Sequence, residues 1–251
     1  MAAKRTQEAV NVQVWKGLHA VFGAERVIRL IKWGLPSSYG QVVFQSDTKD
    51  HVFLTIDDAP GDPEGMRHVL DSLAETGAKA TFFVIGSFVS DERRAIMERL
   101  LQEGHHVGNH LMEDRSALRM SEEEFEKALL ECQDVLLALD PAFNEAPVKW
   151  FRPPMGHLAK WMVPILERHR YTIALGNVYP NDCAVQTQPH FISDFVIRHA
   201  APGAIVIVHC PDNGREAQSG VIQRILSHWR TNDFSVVSLK EFLTVSESAA
   251  S

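Results

Sequence analysis

The sequence is short of cysteine, of basic clusters and of long apolar runs, and each shortage excludes a class of protein. Only three cysteines occur in 251 residues, Cys132, Cys183 and Cys210. The number is odd, and the spacing matches neither a zinc-binding nor a disulfide framework. No Asn-X-Ser/Thr sequon is present, so nothing marks a secreted glycoprotein. The formal net charge is −7 and no long basic cluster occurs, which argues against a nucleic-acid partner. No run of 18 apolar residues exists to span a membrane. Residues 1–8 lack the apolar core of a signal peptide, which makes the cytoplasm the expected address.

What is present is the composition of an ordinary globular protein, 45% apolar and 23% charged. A chain of this length fits one large α/β domain better than two small ones. Between residues 9 and 34, apolar residues from Val10 to Ile31 recur at near-helical spacing, with Lys16, Arg26, Arg29 and Lys32 interspersed. This predicts a helix packed on the main domain, with peripheral membrane association as the weaker alternative. From residue 50, strands and helices alternate. Strands are predicted at 52–56, 80–85, 106–108, 148–151, 171–175, 204–208 and 234–237. Helices are predicted at 62–75, 91–104, 121–139, 157–169, 191–200 and 220–231, with a last short one near 239–243. The start signals are Asp62 as N-cap before Pro63, Asp91 as a cap, and the capping box Ser121 to Glu124. Alternation of this kind implies a parallel sheet. About seven such units suit a distorted or incomplete (β/α) barrel, with a doubly wound open sheet as runner-up. The expected layout is a helical extension at 1–49, a catalytic domain at 50–243 and a disordered tail at 244–251.

The run His51-Val-Phe-Leu-Thr-Ile-Asp-Asp-Ala-Pro60 delivers two adjacent carboxylates, Asp57 and Asp58, to the end of the first predicted strand. Taken alone, the pair reads as a solvated turn before it reads as a site. No glycine-rich phosphate fingerprint follows the strand, which argues against a nucleotide site. Four further strand ends carry polar residues: His110 and Asp114 after the third, Arg152 after the fourth, Asp182 after the fifth and His209 at the sixth. Parallel β/α folds place active sites at this end of the sheet. The coincidence of five polar strand ends favours a site over a turn.

The motifs resemble those of the NodB-homology polysaccharide deacetylases, carbohydrate esterase family 4, which includes chitin and peptidoglycan deacetylases. The family pattern Thr-Phe-Asp-Asp-Gly reads here Thr55-Ile-Asp-Asp-Ala59, and Gly-Asn-His-(Ser/Thr)-x-x-His reads Gly108-Asn-His-Leu-Met-Glu-Asp114. Arg-x-Pro-Tyr-Gly reads Arg152-Pro-Pro-Met-Gly156, Asp-x-x-Asp-Trp reads Tyr179-Pro-Asn-Asp-Cys183, and Leu-x-His reads Ile207-Val-His209. Residues 78–86 resemble the family's second strand, and the likeness runs over about residues 50 to 243 in order.

The resemblance implies a hydrolase that removes N-acetyl groups from a saccharide such as a chitin-like oligomer or polymer. Asp57 would be the general base and Arg152 would orient it. His209 would be the general acid, tuned by Asp182, and the backbone N–H of Met155 would help hold the oxyanion. Asp58, His110 and Asp114 would hold a divalent metal, zinc first, with Mn, Co or Mg as alternatives. Asp114 stands where the family has a second histidine. Two carboxylates and one imidazole leave a divalent site formally neutral, which weakens Lewis acidity and favours harder ions. His105, His106 and Glu113 lack the offset to substitute as ligands. Met155, Cys183, Tyr179 and Ala59 depart from the pattern as well. Two other functions stay open: a C–N hydrolase on a small amide, and a saccharide-binding pseudoenzyme.

Overall fold

A computed structural model of the chain describes residues 42–212 and 217–248. The helix predicted at 9–34 lies outside the described residues. Eight strands are seen: β1 Val42–Val43, β2 His51–Ala59, β3 Thr81–Val84, β4 His106–Asn109, β5 Lys149–Phe151, β6 Tyr171–Ala174, β7 Ile205–His209 and β8 Ser235–Val237. The described α-helices are α1 Pro63–Thr76, α2 Asp91–Gln102, α3 Glu122–Leu139, α4 Met162–Arg168, α5 Pro189–His199, α6 Gln218–Thr231 and α7 Phe242–Ser248. The sheet order is β1-β6-β5-β4-β3-β2-β7, with β8 also paired to β2. Every strand pairing is parallel. Isolated bridges from Gln45 to Ala204 and from Val178 to Val206 join the chain after β1 and β6 to β7, at the other end of that order.

All seven predicted strands are present. The two-residue β1 was not predicted, being too short for a periodic signal. Several helix starts follow the chemistry read from the sequence. The Asp62 carboxylate accepts from Gly65 N at 2.8 Å, and Ser121 and Glu124 form a reciprocal capping box. Gly77 ends α1 at φ 69°, in the left-handed region that glycine tolerates.

Three expectations are corrected. Ser90 rather than Asp91 stands at the N-cap of α2. The helix predicted from His157 begins only at Met162, because Met155 and Gly156 turn the chain at φ 58° and 68°. The segment expected as a disordered tail from residue 244 is helical through Ser248, and Phe242 and Val245 pack against a buried apolar cluster.

That cluster positions the site. Side chains alternate faces along a strand. On one face of β2 stand Phe53, Thr55 and Asp57; on the matching faces of β5 and β7 stand Trp150 before Arg152, and Ile205 and Ile207 before His209. Phe53, Phe83, Trp150, Ala174, Ile205 and Leu239 form a buried apolar floor, and the polar residues lie beyond it, toward the strands' C-terminal ends. The opposite face, with Leu54, Ile56, Phe82, Val107, Val206 and Val208, joins the larger core shared with α1, α3 and α6. The inner face is therefore apolar at the bottom and ionisable at the top.

Candidate active site

Asp57 and Asp58 are both buried, at 4% and 3% exposure. Consecutive residues of a regular strand point to opposite faces, and here the regularity breaks. The pairing of β2 with β3 shifts register between Ile56 and Ala59, and Asp58 adopts φ 61°. Such an irregularity re-aims a side chain. Asp57 then meets Arg152 while Asp58 faces His110.

Arg152 is tied on three sides. Its Nη1 donates to Asp57 Oδ1 at 2.5 Å and to Thr55 Oγ1 at 2.8 Å, and its Nε donates to the Ala174 carbonyl at 2.7 Å. The guanidinium lies 4.1 Å over the Phe83 ring, a favourable cation–π placement. Burial lowers the proton affinity of the guanidinium and Asp57 offsets this only in part; arginine remains protonated in either case. The Nη2 nitrogen is buried without a partner among the described residues.

His110 follows β4. Its Nδ1 donates to the Arg152 carbonyl at 2.7 Å, which leaves Nε2 as the lone-pair nitrogen, 3.7 Å from Asp58 Oδ1. A carbonyl behind one ring nitrogen and an open lone pair at the other is the usual arrangement of a metal-ligating histidine. Two ligands about 2.0–2.2 Å from one ion stand up to about 4 Å apart, so the Asp58–His110 pair fits a divalent ion. The backbone around His110 is held by Asn109, fully buried, whose Oδ1 accepts Leu111 N at 2.9 Å. Its Nδ2 donates to the Leu129 carbonyl at 2.9 Å and to the Tyr171 hydroxyl at 3.1 Å. Leu111 takes φ 62°, so this side chain pins a left-handed turn.

Asp114, expected as the third ligand, is exposed in the bend after Leu111. It is not gathered with Asp58 and His110. The three ligating groups that do lie mutually within 4.8 Å among the described residues are Asp58, Cys183 and His209.

His209 Nδ1 lies 2.8 Å from Asp182 Oδ1, and Asp182 Oδ2 accepts from the His209 backbone N at 2.9 Å and from Gln218 Nε2 at 2.5 Å. Burial disfavours charge on this imidazole. The Asp182 charge and hydrogen bond outweigh it, with a further contribution from Cys183, and hold the proton well above the ordinary histidine range. Tyr179 lies beside the pair, its ring centroid 6.1 Å from that of His209. Met155, three residues after Arg152, is 61% exposed.

The sequence named Asp57, Asp58, His110, Arg152, Asp182 and His209, and the structure brings these six together. It missed the supporting contacts. Thr55 was legible, since it shares a strand face with Asp57 two residues away. Gln218 was not, standing 36 residues from Asp182 with nothing local to connect them.

The polysaccharide deacetylase family model matches residues 45–174. The chain belongs to the polysaccharide deacetylase family. A peptidoglycan-N-acetylglucosamine deacetylase of Bacillus cereus is 29% identical over 210 residues, covering 81% of this chain and 93% of that protein. A chitooligosaccharide deacetylase of Sinorhizobium fredii is 32% identical over 162 residues, covering 64% of this chain and 73% of its own. Among solved structures, a family 4 acetyl xylan esterase from Clostridium thermocellum in complex with a cobalt ion is 27% identical, with TM-score 0.67, covering 77% of this chain and 90% of that one. A mutant of a CE4-family pseudoenzyme with restored enzymatic activity is 25% identical at TM-score 0.69, covering 80% and 71%. Polysaccharide deacetylases of this family are hydrolases that act on the N-acetyl amide bonds of saccharides.

Proposed function

We propose that the chain is a metal-dependent deacetylase that removes N-acetyl groups from a GlcNAc-containing oligosaccharide or polymer. The observation that carries this reading is the pairing of Asp57 with His209 across β2 and β7. Each is held by its own buried partner, Arg152 for Asp57 and Asp182 for His209. Amide hydrolysis needs a base for the attacking water and an acid for a poor leaving group. Asp57, held in place by Arg152, takes the proton from water. His209, kept protonated by Asp182, gives its Nε2 proton to the departing sugar amine. Negative charge growing on the acetyl oxygen meets the backbone N–H of Met155. Asp58 and His110 would hold the metal, zinc before Mn, Co or Mg, and a bound ion supplies Lewis acidity toward the acetyl carbonyl.

The saccharide class is supported by relatives named as deacetylases of peptidoglycan N-acetylglucosamine and of chitooligosaccharides. One observation favours a second reading, a saccharide-binding pseudoenzyme: Asp114 is exposed and apart from Asp58 and His110. Both are tested by acetate release from N-acetylglucosamine oligosaccharides with added Zn²⁺, Mn²⁺ or Co²⁺, alongside the metal content of the protein. Release that Asp57→Asn abolishes supports the deacetylase. Bound saccharide with no release under any of the three ions would establish the pseudoenzyme instead.

A further inference from the structure

Cys183 has no assigned role in the deacetylation chemistry, yet it reaches the centre of the site. It follows Asp182 directly, so the loop that places the carboxylate behind His209 also places a thiol beside it. Its Sγ, a carboxylate oxygen of Asp58 and a ring nitrogen of His209 all lie within 4.8 Å of one another. Asp58 is buried, and Cys183 and His209 are half-buried.

Three different donors, a carboxylate, a thiol and an imidazole, thus converge on one point. The His209 ring is prepared for ligation in the same manner as His110. Its Nδ1 faces a carboxylate at 2.8 Å, that carboxylate is fixed by Gln218, and Nε2 is the ring nitrogen not turned to Asp182. A carboxylate behind a histidine fixes the ring and raises its basicity as a ligand. The thiol sets the choice of ion. Thiolate favours Zn²⁺, Co²⁺ and similar borderline ions, whereas Mg²⁺ and Mn²⁺ favour all-oxygen shells.

We propose that Asp58, Cys183 and His209 form a thiolate-containing site for a thiophilic divalent ion, overlapping the Asp58–His110 pair through the shared carboxylate. Binding releases the thiol proton and the Nε2 proton of His209 to solvent, and leaves one sulfur, one oxygen and one nitrogen donor on the ion. The ion also occupies the lone pair of His209 Nε2, which then has no proton to give. Thiophilic ions in excess therefore suppress turnover, a consequence that rests on the deacetylase reading; the binding itself does not.

The test uses the full chain, stripped with chelator and titrated with Co²⁺, because zinc is spectroscopically silent. A thiolate ligand gives a near-ultraviolet sulfur-to-cobalt charge-transfer band. The band is expected in the wild type, absent in Cys183→Ser and Cys183→Ala, and retained in Cys210→Ser. Zn²⁺ displaces it and Mg²⁺ does not. Loss of the sulfur weakens zinc affinity by at least about tenfold, the lower bound set by losing a mere outer-shell partner. Circular dichroism of the two Cys183 variants checks that each is folded. No band at saturating Co²⁺, or a band that survives in folded Cys183→Ser, overturns the site. Acetate release without the band at saturating Co²⁺ sinks this proposal alone; the band at saturating Co²⁺ with no acetate release under Mn²⁺, which does not favour the thiolate, sinks the deacetylase reading alone.

Discussion

Asp57 Oδ1 and Arg152 Nη1 stand 2.5 Å apart with both side chains almost fully buried. Removing one partner of such a pair strands the other's charge in the interior, at a cost of about 3–5 kcal/mol. Arg152→Met is expected to lower stability by that order, read from urea denaturation at neutral pH. Asp57→Asn is expected to reduce kcat by about 10²–10⁴, the usual worth of a positioned base. Its metal content should stay near the wild-type value, because Asp58 and His110 are untouched. A fall in metal content matching the fall in kcat would place Asp57 among the ligands.

The turn that carries His110 hangs on one side chain. Asn109→Ala removes the acceptor of Leu111 N and the donor to Tyr171 and Leu129. Leaving buried groups unpaired costs about 1–3 kcal/mol. Metal affinity is expected to fall by roughly 10–100-fold as well, as it does on loss of groups that orient a ligand. Tyr171→Phe removes the hydroxyl that accepts from Asn109 and donates to Gln133, a milder change of about 0.5–1.5 kcal/mol. Isothermal titration with Zn²⁺ separates the two effects. An Asn109→Ala protein of unchanged zinc affinity would show that the turn is held by other contacts.

The high-pH limb of activity follows from His209. Burial alone would lower its proton affinity, and Asp182 reverses this. Asp182→Asn removes the reversing charge and leaves burial unopposed. The pH at which kcat declines on the alkaline side is therefore expected to move down. A pH–rate profile of the two proteins at saturating substrate reads the shift, and an unmoved alkaline limb would assign the acid to another group.

Two buried histidines set an acid limit to stability. His105 and His106 are pushed down to about 4 by burial, with lysine charges adding to the effect. The unfolded chain takes up these protons from the ordinary value of 6.5 downward, and the folded chain does not until about 4. Stability is thus fully present above 6.5 and lost as pH falls toward 4, at about 1.4 kcal/mol per pH unit for each histidine. His106→Gln, which cannot titrate, is expected to reduce the slope of the urea midpoint against pH in this window by about one proton. An unchanged slope would move the effect to other groups.

Seven of the eight described strands and the six converging polar residues were legible because they depend on local pattern. An apolar run ended by an ionisable residue, repeated at parallel-strand spacing, points each such residue to the same end of the sheet. The offset of Asp114 from His110 fixes sequence distance only, whereas its exposed position depends on how the bend after Leu111 runs. Cys183 reads as a small buried hydrophobe in sequence. Its place beside Asp58 and His209 comes from tertiary structure, which brings β2, β7 and the loop after β6 together.

The register partnership of Asp57 with His209 has a consequence for how this scaffold can diversify. Neighbouring strands stand about 4.8 Å apart, a spacing set by main-chain hydrogen bonds. The span between the Asp57 and His209 backbones is thereby inherited from a ruler that no side-chain replacement can stretch. Surroundings such as Met155 and Cys183 sit on connections outside that ruler. Those positions can vary while the Asp57–His209 backbone spacing stays constant, so relatives that differ in polymer can keep one gauge.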